Sequence, residues 1–141
     1  MSIPVGAERA VAVRGPGWFR VRACVAVARV LTFVRPTLLR RTIALVVRGA
    51  RPATTGEASA ARAVVCGVSA RCAGLGCLQR SIAVMLLCRT RATAPSWCTG
   101  FRTDPFVAHA WVDVGGVPVD EPSDVAGYRV VLRVDAPTGA R

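Results

Sequence analysis

The chain has no lysine, one histidine (His109), one tyrosine, and only eight acidic residues among 141. No two cysteines have Cys-x-x-Cys spacing, and one imidazole leaves too few donors for a tetrahedral zinc site, so neither a metal nor another cofactor is expected. No apolar run is long enough to cross a bilayer: the stretch Val21 to Val34 is cut by Arg22 and Arg29, whereas about 20 apolar residues are needed. No secretory leader is recognisable, so the six cysteines (24, 66, 72, 77, 88 and 98) are expected to be reduced thiols in a cytoplasmic protein. Aromatic-basic nucleic-acid motifs and zinc fingers are also missing, so the charge alone does not imply a nucleic-acid partner.

What the chain has in excess is arginine. Residues 1–100 hold fifteen against Glu8 and Glu57, a net of +13, while residues 101–141 hold four against six acids, a net of −2. Such a division suits an acidic partner, and it suits equally the solvated outer faces of amphipathic helices. The positive mean hydropathy adds a hint of a partner-covered surface.

The length is that of one domain, able to bury roughly two thirds of its unfolded surface without disulfides or metal. Ala10-Val-Ala-Val-Arg14, ended by Gly15-Pro16-Gly17, reads as an edge strand or a loosely ordered arm. Trp18 to Val34 predicts a helix with Val21, Val25, Ala28 and Leu31 on one face. Pro36 opens a second helix to about Val47, with Leu38, Leu39, Ile43 and Val46 on its apolar side and Arg40, Arg41 and Arg48 on its basic side. Gly49 to Gly56 reads as a loop in which Thr54 or Thr55 caps a third helix, about Glu57 to Ser69, with Ala58, Ala61, Val65 and Val68 inward. A glycine-bearing turn at 73–76 leads into a fourth helix, Cys77 to about Arg91, with Leu78, Ile82, Met85 and Leu86 as core. The period then changes to two. Strands are predicted at Trp97–Arg102, Val107–Val114, Val117–Asp120 after a Gly115-Gly116 hairpin, and Tyr128–Val134. The order is α+β: an arginine-rich helical region (1–56), a core of helix and small antiparallel sheet (57–134), and a tail (135–141).

One thiol stands apart. Cys77 follows Gly74 and Gly76 at a helix start, where free N–H groups and the helix dipole favour the thiolate, and Arg80 adds positive charge one turn on. A buried cysteine acting as a small hydrophobe is the bland alternative. The sole histidine, in an alternating strand, with Asp120 and Glu121 a hairpin later, turns the balance toward a Cys-His-acid nucleophilic site. Cys72, beside Arg71, lacks the helix-start position, and Cys66, Cys88 and Cys98 are read as structural.

Three segments, Arg71-Cys-Ala-Gly-Leu-Gly-Cys-Leu-Gln-Arg-Ser81, Trp97-Cys-Thr-Gly-Phe-Arg-Thr-Asp-Pro-Phe106 and Ala108-His-Ala-Trp-Val-Asp-Val-Gly-Gly-Val-Pro-Val119, carry a resemblance to the lasso-peptide B protein. That is the transglutaminase-like cysteine peptidase which removes the leader from a lasso-peptide precursor. The match covers about residues 60–134. It implies a papain- or transglutaminase-like fold, a Cys77-His109-acid triad and a bacterial cytoplasmic setting. With no room for a fused winged-helix leader-recognition domain, the chain resembles the split type. That type works with a separate small winged-helix leader-recognition protein, after which an ATP-dependent cyclase closes the ring.

The acid is ambiguous at this level. Family spacing, twelve residues after the histidine, lands on Glu121. A plain two-residue hairpin pairs Val114 with Val117 and Trp111 with Asp120, which puts Asp120 on the face of His109. A bulge near Pro118 would reverse the two, and Glu121 is favoured. Asp113 and Asp124 are expected to be surface charges. Trp97, Phe106 and Trp111 are candidates to line a substrate groove, with half-buried strand packing as their bland reading. Arg40 and Arg41 are candidates for contact with the recognition protein or bound leader. Acyl transfer by the same triad and a non-catalytic arginine-rich scaffold are the competing functions.

Overall fold

Prolines open both N-terminal helices, where a missing N–H costs nothing. In the computed structural model, which describes residues 15–138, α1 spans Pro16–Leu31 and α2 spans Pro36–Val46. The alternation at residues 10–14 lies outside the described residues. α1 buries Val21, Cys24 and Ala28, and α2 buries Leu39 and Ile43. α3, Thr55–Val68, starts in a capping box: Glu57 N–H donates to Thr54 Oγ1, and Thr54 N–H donates to the Glu57 carboxylate. Such a cap contributes about 1 kcal/mol.

Several short elements escaped the sequence reading. The loop at 49–56 contains β1, Arg51–Pro52, which pairs in parallel with β2, Thr93–Ala94, just after the helix that begins at Cys77. One turn of helix, α4 (Ala70–Ala73), capped by Ser69, precedes the glycine turn. Segments of two to four residues carry too little periodicity to register. α5, Cys77–Arg89, is buried on nearly every side and is no amphipathic surface helix: Gln79, Arg80 and Ser81 are buried along with Ile82, Val84, Met85 and Leu87. It is the axle of the domain, packed against α1, α3 and the sheet.

That sheet is antiparallel, in the order β5-β4-β3-β6, with β3 at Ser96–Arg102, β4 at Val107–Val114, β5 at Val117–Pro118 and β6 at Arg129–Val134. One face, carrying Trp97, Val112 and Val134, closes the main core against the helices. The other holds a smaller cluster of Cys98, Trp111, Val125 and Tyr128. Among the described residues no helix is long and apolar enough to cross a membrane.

The return strand after the hairpin is shorter than expected. Val114 faces Val117, Asp113 faces Pro118, and Val119 N–H still donates to the Val112 carbonyl at 3.0 Å, after which the pairing ends. Asp120 has φ +52, so the chain turns away instead of running on opposite Trp111. As a result, the first half of β4 pairs with β3 alone and keeps an open edge.

Candidate active site

Cys77 is the first residue of α5, with Gly76 as its N-cap and no side chain capping the helix. The glycine is needed for space: a Cβ at Gly76 would lie 2.7 Å from the Arg71 carbonyl oxygen, which accepts the Gly76 N–H at 2.9 Å. This tight return delivers the thiol to the helix start, where the first N–H groups have no intrahelical partner.

The thiol meets the open edge of β4. Val112 C=O accepts from Val119 N–H on the β5 side. By strand alternation the Ala110 N–H points to that same side, where no strand follows. Cys77 hydrogen-bonds both there and to His109. Burial works against the thiolate, and the bonds from His109 and the Ala110 backbone, helped by the charges of His109 and Arg80, outweigh it, leaving the thiol below its ordinary value.

His109 Nε2 lies 2.8 Å from Glu121 Oε2, so Nδ1 is the nitrogen left to face the thiol. Burial disfavours the imidazolium, but the bonds to Cys77 and Glu121 prevail and lift His109 to about 9. The ring is clamped as well. Trp111 lies nearly parallel to it at 6.0 Å and Tyr128 meets it edge-on at 6.0 Å.

Glu121 is almost wholly enclosed, with 3% of its side chain exposed. Its second oxygen, Oε1, faces two buried guanidiniums, Arg62 at 3.6 Å and Arg80 at 3.9 Å. Arg80 is itself fixed by the Cys72 carbonyl at 2.7 Å. A buried carboxylate between two buried cations and an imidazole is compensated, and its position is over-determined.

The structure therefore brings Cys77, His109 and Glu121 together and leaves Asp120 out. Asp120 is exposed and accepts from the Ser59 hydroxyl on α3. Of the three aromatics considered for a groove, only Phe106 lines one. Trp97 is fully buried in the main core and donates its indole N–H to Ser81 Oγ at 3.0 Å. Trp111 is buried behind His109, where it holds the ring and offers no surface to a substrate. Arg40 and Arg41 are exposed on α2. Asp124 is a surface charge, 3.5 Å from Arg102. Asp113 is not: it is 2% exposed and paired to Arg133 at 2.8 Å, beside Cys98. It shares the face of His109 and Trp111 by strand parity, so it points into the second cluster.

Arg62 is the functional candidate the sequence reading missed. The signal was present: Arg62 falls within the inward stripe Ala58, Ala61, Val65 at helical spacing, where a charge demands a buried partner. Among the other thiols, burial raises Cys72 and takes Cys88 to about 11, while burial and Asp113 together take Cys98 to about 12. These are structural sulfurs. All six cysteines are free, and no group of metal-ligating side chains occurs among the described residues.

Cys77 and His109 open into a cleft of about 390 Å³. Its walls include Leu78, Phe101, Phe106 and Val131, and Phe101 and Phe106 stack at 5.8 Å. Gly100, opposite His109 in the ladder, keeps the β3–β6 crossing close: a Cβ there would lie 2.5 Å from the Arg129 carbonyl oxygen.

A family model described as the transglutaminase-like superfamily matches residues 21–133. No curated protein and no solved structure shows a significant match.

Proposed function

The chain belongs to the transglutaminase-like superfamily, and from that premise we propose that it is a cysteine peptidase that removes the leader from a lasso-peptide precursor. The observation that carries the chemistry is the row Cys77–His109–Glu121, with the thiol at a helix start and the imidazole fixed to a buried carboxylate at 2.8 Å. The superfamily fits cysteine-based peptidase or acyltransferase chemistry in general. The lasso-peptide assignment rests on the three segments 71–81, 97–106 and 108–119.

In this reading the Cys77 thiolate attacks the scissile carbonyl carbon, and the carbonyl electrons move to oxygen beside the free N–H groups of α5. The tetrahedral intermediate collapses, the C–N bond breaks, and His109 Nδ1–H gives its proton to the departing amine. Water then adds to the thioester, passing one proton to His109. Release of the acid regenerates the thiolate–imidazolium pair. Glu121 holds Nε2–H throughout, its other oxygen facing Arg62 and Arg80.

The recognition protein and the cyclase are part of the proposal. Leu38, Leu45, Arg40 and Arg41 are all exposed on α2, an apolar and basic surface suited to a partner with acidic groups. The test is reconstitution. The chain alone should cleave full precursor poorly, and addition of the recognition protein should restore cleavage. A product heavier by one water supports hydrolysis. A product carrying an added amine assigns acyl transfer, and full biological activity of a Cys77→Ala variant assigns a scaffold.

A further inference from the structure

Cys77 lines two clefts. Besides the apolar one, a groove of about 300 Å³ lies between the last turn of α1 and the turn leading into α5, and it shares Cys77 and Leu78 with the first. Its character is different. Arg29 and Arg71 stand on its walls, and among the described residues neither is paired with a carboxylate. The Arg29 guanidinium lies 5.0 Å over the ring of Phe33, which is 76% exposed, and Leu75 is 99% exposed at the rim. Two uncompensated cations beside uncovered apolar side chains, continuous with the attacking sulfur, match a peptide with a carboxylate next to an apolar residue.

We propose that this groove is a substrate subsite selecting an aspartate or glutamate, flanked by an apolar residue, close to the attacked bond on one side of it. The inference deepens the reading of Cys77 as the attacking thiol and rests on it. A chain crossing Cys77 would place an apolar side chain against Phe101 and Phe106 on one side and its acid between Arg29 and Arg71 on the other. The unlike clefts thereby fix its register over the sulfur.

Two probe series test this on the full chain: peptidyl chloromethyl ketones, which extend from the warhead on the acyl side, and bromoacetyl peptides, which extend on the amine side. Each carries Glu, Lys or Ala at successive positions next to the warhead and Leu elsewhere, and the alkylation rate of Cys77 is read by mass spectrometry. In one series Glu peptides should react about tenfold faster than Lys peptides, a preference that high salt erodes. The Arg29→Glu/Arg71→Glu double variant should invert it, with the Ala peptides as internal reference in each protein. Equal Glu and Lys rates in both series, or a preference that survives the double variant, overturn the subsite. A charge preference without amide hydrolysis in the reconstituted system leaves the subsite standing and removes the peptidase reading. A Cys77 that no probe labels overturns both.

Discussion

Replacing Glu121 by Gln while replacing Asp120 by Asn in a parallel variant separates two adjacent carboxylates that the chain treats very differently. Glu121 touches His109 at 2.8 Å from an enclosed position. Together with Cys77 it lifts the imidazole from 6.5 to about 9. If the carboxylate supplies on the order of half of that lift, Glu121→Gln lowers His109 by ~1 pH unit, or about 1.4 kcal/mol. A raised histidine contributes stability that is complete below 6.5 and is lost as pH rises through about 9. In the proposed mechanism the same protonation supplies the leaving-group proton, so the alkaline limb of the rate profile should move to lower pH in the variant. The rate itself should fall by roughly 10²- to 10³-fold, the scale of a positioned acid–base group. Arg62 and Arg80 lose their counter-charge, and removing one partner of a buried pair costs about 3–5 kcal/mol. Because Gln keeps hydrogen-bonding atoms, the lower end applies, about 10 °C in Tm. Asp120→Asn keeps a residue that tolerates positive φ and risks only the Ser59 contact, about 1 kcal/mol. Precursor cleavage with the recognition protein present, followed by mass spectrometry across pH, reads the rates, and calorimetry reads the stability. A Glu121→Gln enzyme with near-normal rate and unshifted alkaline limb, or a larger loss in Asp120→Asn, would refute the argument.

Cys77→Ala and His109→Ala should each abolish leader removal with the far-ultraviolet dichroism intact, and near-normal cleavage by either sinks the proposed chemistry. Iodoacetamide near neutral pH should modify Cys77 and spare Cys72, Cys88 and Cys98, whose thiols burial holds protonated; peptide mapping that finds Cys98 labelled as fast would contradict the assignment. Gly76→Ala forces the Arg71 carbonyl or the thiol to move and should cost about 100-fold in kcat/KM with only a modest change in Tm, so a wild-type rate would show that the tight return is unimportant. Arg40→Glu/Arg41→Glu should weaken binding to the recognition protein or leader and raise the apparent KM, mimicking high salt on the wild type; unchanged affinity and salt response would remove α2 from the interface.

Much of this protein was decided by local sequence. Pro16, Pro36 and the Thr54–Glu57 box set helix starts within a residue or two of those observed, and the two-residue period set β3, β4 and β6. Caps, turns and periodicity act over a few neighbours, so they are legible in one dimension. Cys77 and His109 were conspicuous for the same reason, as a thiol at a helix start and a lone imidazole in a strand. The packing decided the rest. Whether Asp120 or Glu121 reaches the histidine turned on where the pairing with β4 ends, after Val119, and on a positive φ at Asp120. A one-residue change of register exchanges the two faces, and the hydrophobic pattern of a two-residue strand is too short to forbid it. Trp97 and Trp111 went inward because α5 and the aromatic cluster needed their volume. Arg62, Arg80 and Asp113 became buried charges because each found a partner far along the chain, Glu121 for the arginines and Arg133 for the aspartate. A charge enters a core only with its counter-charge, and which one it meets is settled by the fold as a whole.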